Sequence, residues 1–232
     1  MSYSFFNSAE PILRRKQPNL DVQDLCGLWQ IHWKLGDRTL LSNLYTRIDQ
    51  VFVLWGWITA IIFGVAQFTQ VSWSAQAIAW TMLTLLGTAA MTYLAWYWVK
   101  VEGLRWLIYG WAVLMLGGVL LTDYGIFGTC GWILINLCPL WLGLTAAGYL
   151  MMGMGMGSRT FVLAALIHGL SIPALSAMPH WPFLFTGGVM SGCLMLLSEV
   201  QWDMRSPVTS QVLSAEEQAF NQEQQRLRQL SA

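Results

Sequence analysis

Charge is what this sequence is shortest of. Gln50 through Val99 contains no Asp, Glu, Lys, Arg or His, and Tyr124 through Ser158 contains none either. Soluble domains carry about 25% charged residues. Here the figure is 10%, against 56% hydrophobic residues and a mean hydropathy of +0.50. Uncharged stretches of this length exclude a soluble globular fold.

Other absences narrow the field. The amino terminus, "MSYSFFNSAEPILRRK", has no apolar run leading to a small-residue cleavage site, so no signal peptide is expected. Cysteine is scarce, and Cys130 and Cys193 fall at depths too different to bridge, so no disulfide is expected. There is no G-x-S-x-G turn, no H-E-x-x-H, no P-loop, and no G-x-G-x-x-G in a strand-to-helix setting. The carboxylates nearest the apolar segments, Asp49, Asp123 and Glu199, fall at their ends and on different sides, which argues against an acid pair within a bilayer. The sequence leans away from an enzyme, and no cofactor and no nucleic-acid partner are expected.

What is present is a set of long apolar runs. A hydrocarbon layer of ~30 Å requires about 20 helical residues per crossing, and only helices or closed barrels satisfy the backbone within it. The sequence predicts six spans, at roughly 50 to 68, 75 to 98, 104 to 122, 130 to 152, 160 to 178 and 182 to 201. "QFTQVSWSAQ", "KVEGLR", "DYGIFGTC" and "AMPHWP" supply breaks, and the runs lack the strict alternation of barrel strands. The expected fold is therefore all-α, a polytopic six-helix transmembrane bundle.

Basic residues belong on the cytoplasmic side of a membrane. With the amino terminus inside, Arg14, Arg15, Lys16, Lys34, Arg38, Arg47, Lys100, Arg105, Arg159, Arg205, Arg226 and Arg228 all fall on one face. Asp123 is the only formal charge in the opposite loops. A five- or seven-span threading breaks this pattern, so both termini are expected in the cytoplasm, at a plasma (inner) or internal membrane. Trp96, Tyr97, Trp98 and Trp106 mark the same interface.

Residues 1–48 read as a cytoplasmic or interfacial arm, 49–202 as the membrane domain and 203–232 as a cytoplasmic tail. In the arm, Leu25, Leu28, Trp29, His32 and Leu35 recur at helical spacing, with Asp21 or Asp24 as a cap and Gly36 as a stop. They predict an in-plane helix anchored by Trp29 and Trp33. The alternation of Ile31, Trp33 and Leu35 also permits a short strand from Leu28 to Leu35. The tail opens with a capping box, Ser214 with Glu217, and ends with Arg226 and Arg228 near the negative end of its dipole. It reads as a solvated helix or as a docking helix for a membrane complex.

Within the spans, small residues recur at four-residue spacing: Gly56, Ala60 and Gly64; Gly143 and Ala147; Gly153 and Gly157; Gly188 and Gly192. Such steps let helices approach closely in lipid. In "YLMMGMGMGSRTF" the methionines can form pairs on one face but not a convergent soft-metal site, so a packing seam ending at Gly157 is the expectation. Pro139, Pro173 and Pro182 all fall in the second half of the membrane domain, none occurs in the first three spans, and no internal repeat is evident.

Polar residues inside spans are costly and mark sites. Helix rise places His168 near the midplane of span five and Asn136 of span four a few ångströms outward. Cys138 and Cys193 fall either side of the midplane, with Met190 at similar depth. His168, Cys138 and Cys193 are thus candidate soft-metal ligands. Two functions remain: a non-catalytic subunit or assembly factor of a membrane complex, with lipid and membrane-protein partners or a second copy of itself, or a small-solute or soft-metal permease built on the mid-membrane polar set.

Overall fold

The computed structural model describes residues 11–35, 38–205 and 209–230, and leaves the side chains of 32–42, 229 and 230 undescribed. The amino-terminal residues read for a signal peptide, the Gly36 stop and the Trp33 and His32 side chains lie outside that description. Six helices are long and apolar enough to cross a membrane: α2 (Arg47–Phe68), α3 (Trp73–Val101), α4 (Arg105–Phe127), α6 (Leu137–Met156), α7 (Arg159–Ala174, continued by a 3-10 turn to Ala177) and α8 (Pro182–Glu199), as the element ranges show. A five-residue helix, α5 (Gly131–Ile135), precedes α6. The molecule is a helical bundle with long-range helix packing of α2 on α8, α6 on α7 and α3 on α4.

The breaks have local causes. Thr46 caps α2 in a capping box with Asp49, and Ser72 caps α3. α6 ends where Gly157 takes φ 61°, a left-handed cap that a side chain would strain. Two ends differ from the expected ones. α4 continues to Phe127, so Asp123 lies in the helix, accepting from Thr81 Oγ1 at 2.9 Å, rather than in an external loop. Span four is broken at Asn136: Pro139, with no N–H to donate, is accommodated in the first turn of α6, and the chain before it forms the separate α5.

The arm is not a single helix. Among the described residues before Arg47 only α1 (Val22–Leu25) is helical; Gly27 then turns the chain at φ 73°, and β2 (Trp29–Leu35) pairs antiparallel with β3 (Arg38–Tyr45). The positive φ is what requires glycine there; a Cβ would also meet the guanidinium of Arg47, whose flexible side chain can move aside. Beyond it the β-branched and aromatic residues, which also alternate, favour the extended chain. The expected in-plane helix over this stretch is thereby corrected to the short strand that the alternation also permitted, and among the described residues two small sheets accompany a predominantly helical fold. The second sheet pairs β1 (Leu13–Arg14) with β4 (Gln201–Trp202). The last helix, α9 (Ala215–Leu230), starts with the Ser214–Glu217 capping box.

Candidate functional site

Two regions hold polar chemistry: a cap at one end of the bundle and an apolar slot running through it. In the cap, the arm, the α3–α4 and α6–α7 turns, the segment after α8, and α9 meet. Asp203, 1% exposed, closes the start of α7. Its carboxylate accepts from the Arg159 and Thr160 backbone N–H groups at 3.0 Å each, from Arg159 Nε at 2.9 Å and from Ser158 Oγ at 2.9 Å. Burial alone would raise the Asp203 carboxyl; the Arg159 and Thr160 hydrogen bonds together outweigh it and hold it below the ordinary range.

The opposite side of the cap is acidic. Lys16 pairs with Asp49 at 2.7 Å, and Arg228 of α9 with Asp21 at 2.9 Å. Gln23 Nε2 donates to Glu102 at 3.0 Å, and Asn221 Nδ2 to Gln23 at 3.0 Å. Burial raises the carboxyls of Asp21 and Glu102, with Arg228 and Arg205 respectively pulling them back. Asp24 is pushed up to about 7 by burial and by the neighbouring Asp21 charge, although Arg228 and the Trp98 indole N–H favour its ionised form. Tyr45 donates to Glu199 at 2.6 Å, and burial together with that bond pushes its hydroxyl up to about 12. Lys16, Asp21, Asp24, Asp49, Glu102 and Arg228 line a polar cavity of about 160 Å³.

Below the cap lies a slot of about 130 Å³, walled by α2, α3, α4, α6 and α8. Its lining is almost wholly apolar, from Ile48 to Ala66 along α2 and from Leu137 to Met156 along α6. Three buried polar atoms of its lining residues have no hydrogen-bond partner: Trp55 Nε1, Thr145 Oγ1 and Tyr149 Oη. Tyr149 is braced on the far side, its ring 5.0 Å from the His168 imidazole and stacked 6.1 Å from Phe161.

The expected metal set does not converge. His168 is fully buried, its Nδ1 2.8 Å from the Ala164 carbonyl of its own helix and its Nε2 without a partner. Cys193 lies beside the Tyr149 hydroxyl, without a hydrogen bond of acceptable geometry. Cys138 is at the outer end of α6 beside Thr186, and Asn136, at the α5–α6 break, donates to the Trp132 carbonyl at 2.8 Å. Counting 1.5 Å per residue, the break puts Asn136 about 15 Å from the middle of α6, well away from the depth of His168. Among the described residues no group of three or more His, Cys, Asp or Glu could hold a metal ion. Tyr149, for which the sequence offers no signal beyond its place before the methionine run, touches both His168 and Cys193.

Of the small residues, Gly56 faces Met195 and Gly153 faces the Val162 backbone of α7, so a Cβ would crowd both. At Gly64, Gly188 and Gly192 an added Cβ meets nothing, and Ala60 is half-buried. The close approach of α8 to α2 is made instead by Gly187, where a Cβ would come within 2.6 Å of Phe63 Cβ. Met152 and Met156 line the slot, Met151 covers Gly110, and Met154 is exposed. Comparison of the chain with protein-family models, curated proteins and solved structures finds no match.

Proposed function

We propose that this protein is a non-catalytic, multi-pass membrane protein with both termini in the cytoplasm, serving as a subunit or assembly factor of a larger membrane complex. The orientation is supported by the basic residues, which fall before α2 or at its first residue, in the last turn of α3, at the first residues of α4 and α7, or after α8, all at the capped end. The observation that carries the partner reading is on α8. Gly188 and Gly192 lie one turn apart on its exposed face, where added side chains would meet nothing of this chain. A small-residue step facing lipid offers a partner helix close backbone approach. The permease alternative has less behind it, since among the described residues no group of three or more His, Cys, Asp or Glu could hold a metal ion.

Crosslinking in intact membranes followed by pull-down tests this reading. The native chain is expected in a complex, with a second copy or with other membrane proteins, that Gly188→Leu with Gly192→Leu disperses. A free monomer in both cases overturns it.

A further inference from the structure

The register of the β2–β3 hairpin fixes which way it faces. Directly opposed residues of an antiparallel pair project their side chains to the same side. Trp29 stands opposite Tyr45 and Ile31 opposite Asn43, so these residues share one face. Tyr45 and Asn43 give its direction: Tyr45 Oη and Asn43 Nδ2 each donate to the Glu199 carboxylate at 2.6 Å. Glu199 is the last residue of α8. The hairpin is thus clasped to the end of a long apolar helix by the face that carries Trp29 and Ile31.

Depth follows from the same contacts. Tyr45 immediately precedes Thr46, the N-cap of α2, and the 22 residues of α2 extend roughly 33 Å. A hydrocarbon layer is ~30 Å thick, and the headgroup regions bring the bilayer to about 40 to 45 Å. With α2 and α8 spanning that layer, Arg47 and Glu199 lie at its edge, and the root of the hairpin falls among the headgroups.

Exposure and charge say what covers the face. Trp29 and Ile31 remain 63% and 41% exposed, although Tyr45 beside them is buried. Leu196, one turn before Glu199, is 54% exposed, so the hairpin meets α8 on its outward side and not over the core. The Arg47 guanidinium packs on Gly27, two residues before Trp29, and among the described residues it has no ion-pair partner. Both oxygens of Glu199 are held by the hairpin itself. An indole, an aliphatic side chain and an unpaired cation at one depth match the glycerol and phosphate region of a phospholipid. Tryptophan favours that layer, and a guanidinium pairs with phosphate.

We infer that the hairpin is a membrane-surface element that binds phospholipid, with Trp29 and Ile31 at the level of the glycerol backbone beside α8 and Arg47 on a phosphate. The inference rests on the multi-pass reading of the chain. It requires no partner helix on Gly188 and Gly192.

The full chain is placed in bilayers doped with one of two photoreactive phosphatidylcholines, the first with its diazirine near the glycerol end of the acyl chain, the second with it at the chain terminus. The peptide bearing Trp29 and Ile31 is expected to take the first probe and not the second, while peptides from the middle of α2 and α8 take the second. Trp29→Ser with Ile31→Ser is expected to lower hairpin labelling about ten-fold, as two apolar side chains leave the layer. Arg47→Gln is expected to lower it about five-fold. Gln30→Ser, on the opposite face of β2, should leave it unchanged. Labelling of the spans by the second probe is expected to persist in every variant, which shows that each remains folded and inserted. Labelled spans with a bare hairpin, or hairpin labelling indifferent to the Trp29, Ile31 and Arg47 substitutions, would overturn the inference, as would a hairpin crosslinked to another polypeptide in place of lipid. Spans left bare by the second probe would overturn the multi-pass reading, and the inference with it.

Discussion

At the scale of the residue, Asp203 matters most to the cap. The first N–H groups of a helix have no partner within it. Ser158, at the N-cap of α7, makes no side-chain capping bond there; Asp203 closes the α7 start from 44 residues away. It also places a negative charge at the positive end of the helix dipole. Asp203→Ala is expected to cost about 2 to 4 kcal/mol, because the two backbone donors at the start of α7 lose their acceptor. A thermal melt in detergent should drop by roughly 10 °C. Since this carboxyl is held below its ordinary range, its contribution is present above about pH 4 and lost as pH falls through the lower folded value. Nothing in the sequence around "QWDMR" announced this role; a cap supplied by a distant segment has no local periodicity or spacing. Gly157 was legible, because left-handed glycine at a helix end is a local requirement.

At the scale of the element, helices formed by uniform hydrophobicity declare their existence but not their rotation. All-round apolar spans carry no polar face to orient them. That is why the four-residue steps located α8 but not the glycine that meets α2, which is Gly187 rather than Gly188. Gly187→Leu should therefore weaken the α2–α8 contact and lower thermal stability by several degrees through overpacking. Gly188→Leu should leave the melt of the monomer nearly unchanged. The tail helix was legible from its caps, yet its partner was not: α9 docks on the chain's own arm. Val22 N donates to Asn221 at 2.8 Å, and Arg228 donates to the Asn19 carbonyl at 2.8 Å as well as pairing with Asp21. Phe220 and Leu227 stay 40% and 37% exposed. Arg228→Ala is expected to speed hydrogen exchange across 215–230 about ten-fold, the effect of losing a largely buried pair. Unchanged exchange would show that the docking rests elsewhere.

At the scale of the whole molecule, the cap concentrates the titration of the protein. Asp24 has its carboxyl raised to about 7 from the ordinary 3.8, so the folded state holds a proton that the unfolded chain has already released. Across that window stability falls as pH rises, the sign opposite to that of Asp203. Melting temperature is thus expected to decline between about pH 4 and 7, and Asp24→Asn, which can still accept from Trp98, should flatten the decline and raise the melt at pH 8 by a few degrees. A profile identical to that of the native chain would remove Asp24 from the account.

The sequence by itself determined the number of long apolar helices and the gathering of every basic residue at one end of the threading. Both follow from quantities additive along the chain: hydropathy over about 20 residues and the cost of placing charge in hydrocarbon. The tertiary structure alone decided which faces of those helices meet, that the arm folds back as a hairpin, that Asp203 caps α7, and that Trp55, Thr145 and Tyr149 line one slot. Those outcomes depend on contacts between residues far apart in the chain, and no local pattern encodes the rotation of a helix that is apolar on every side.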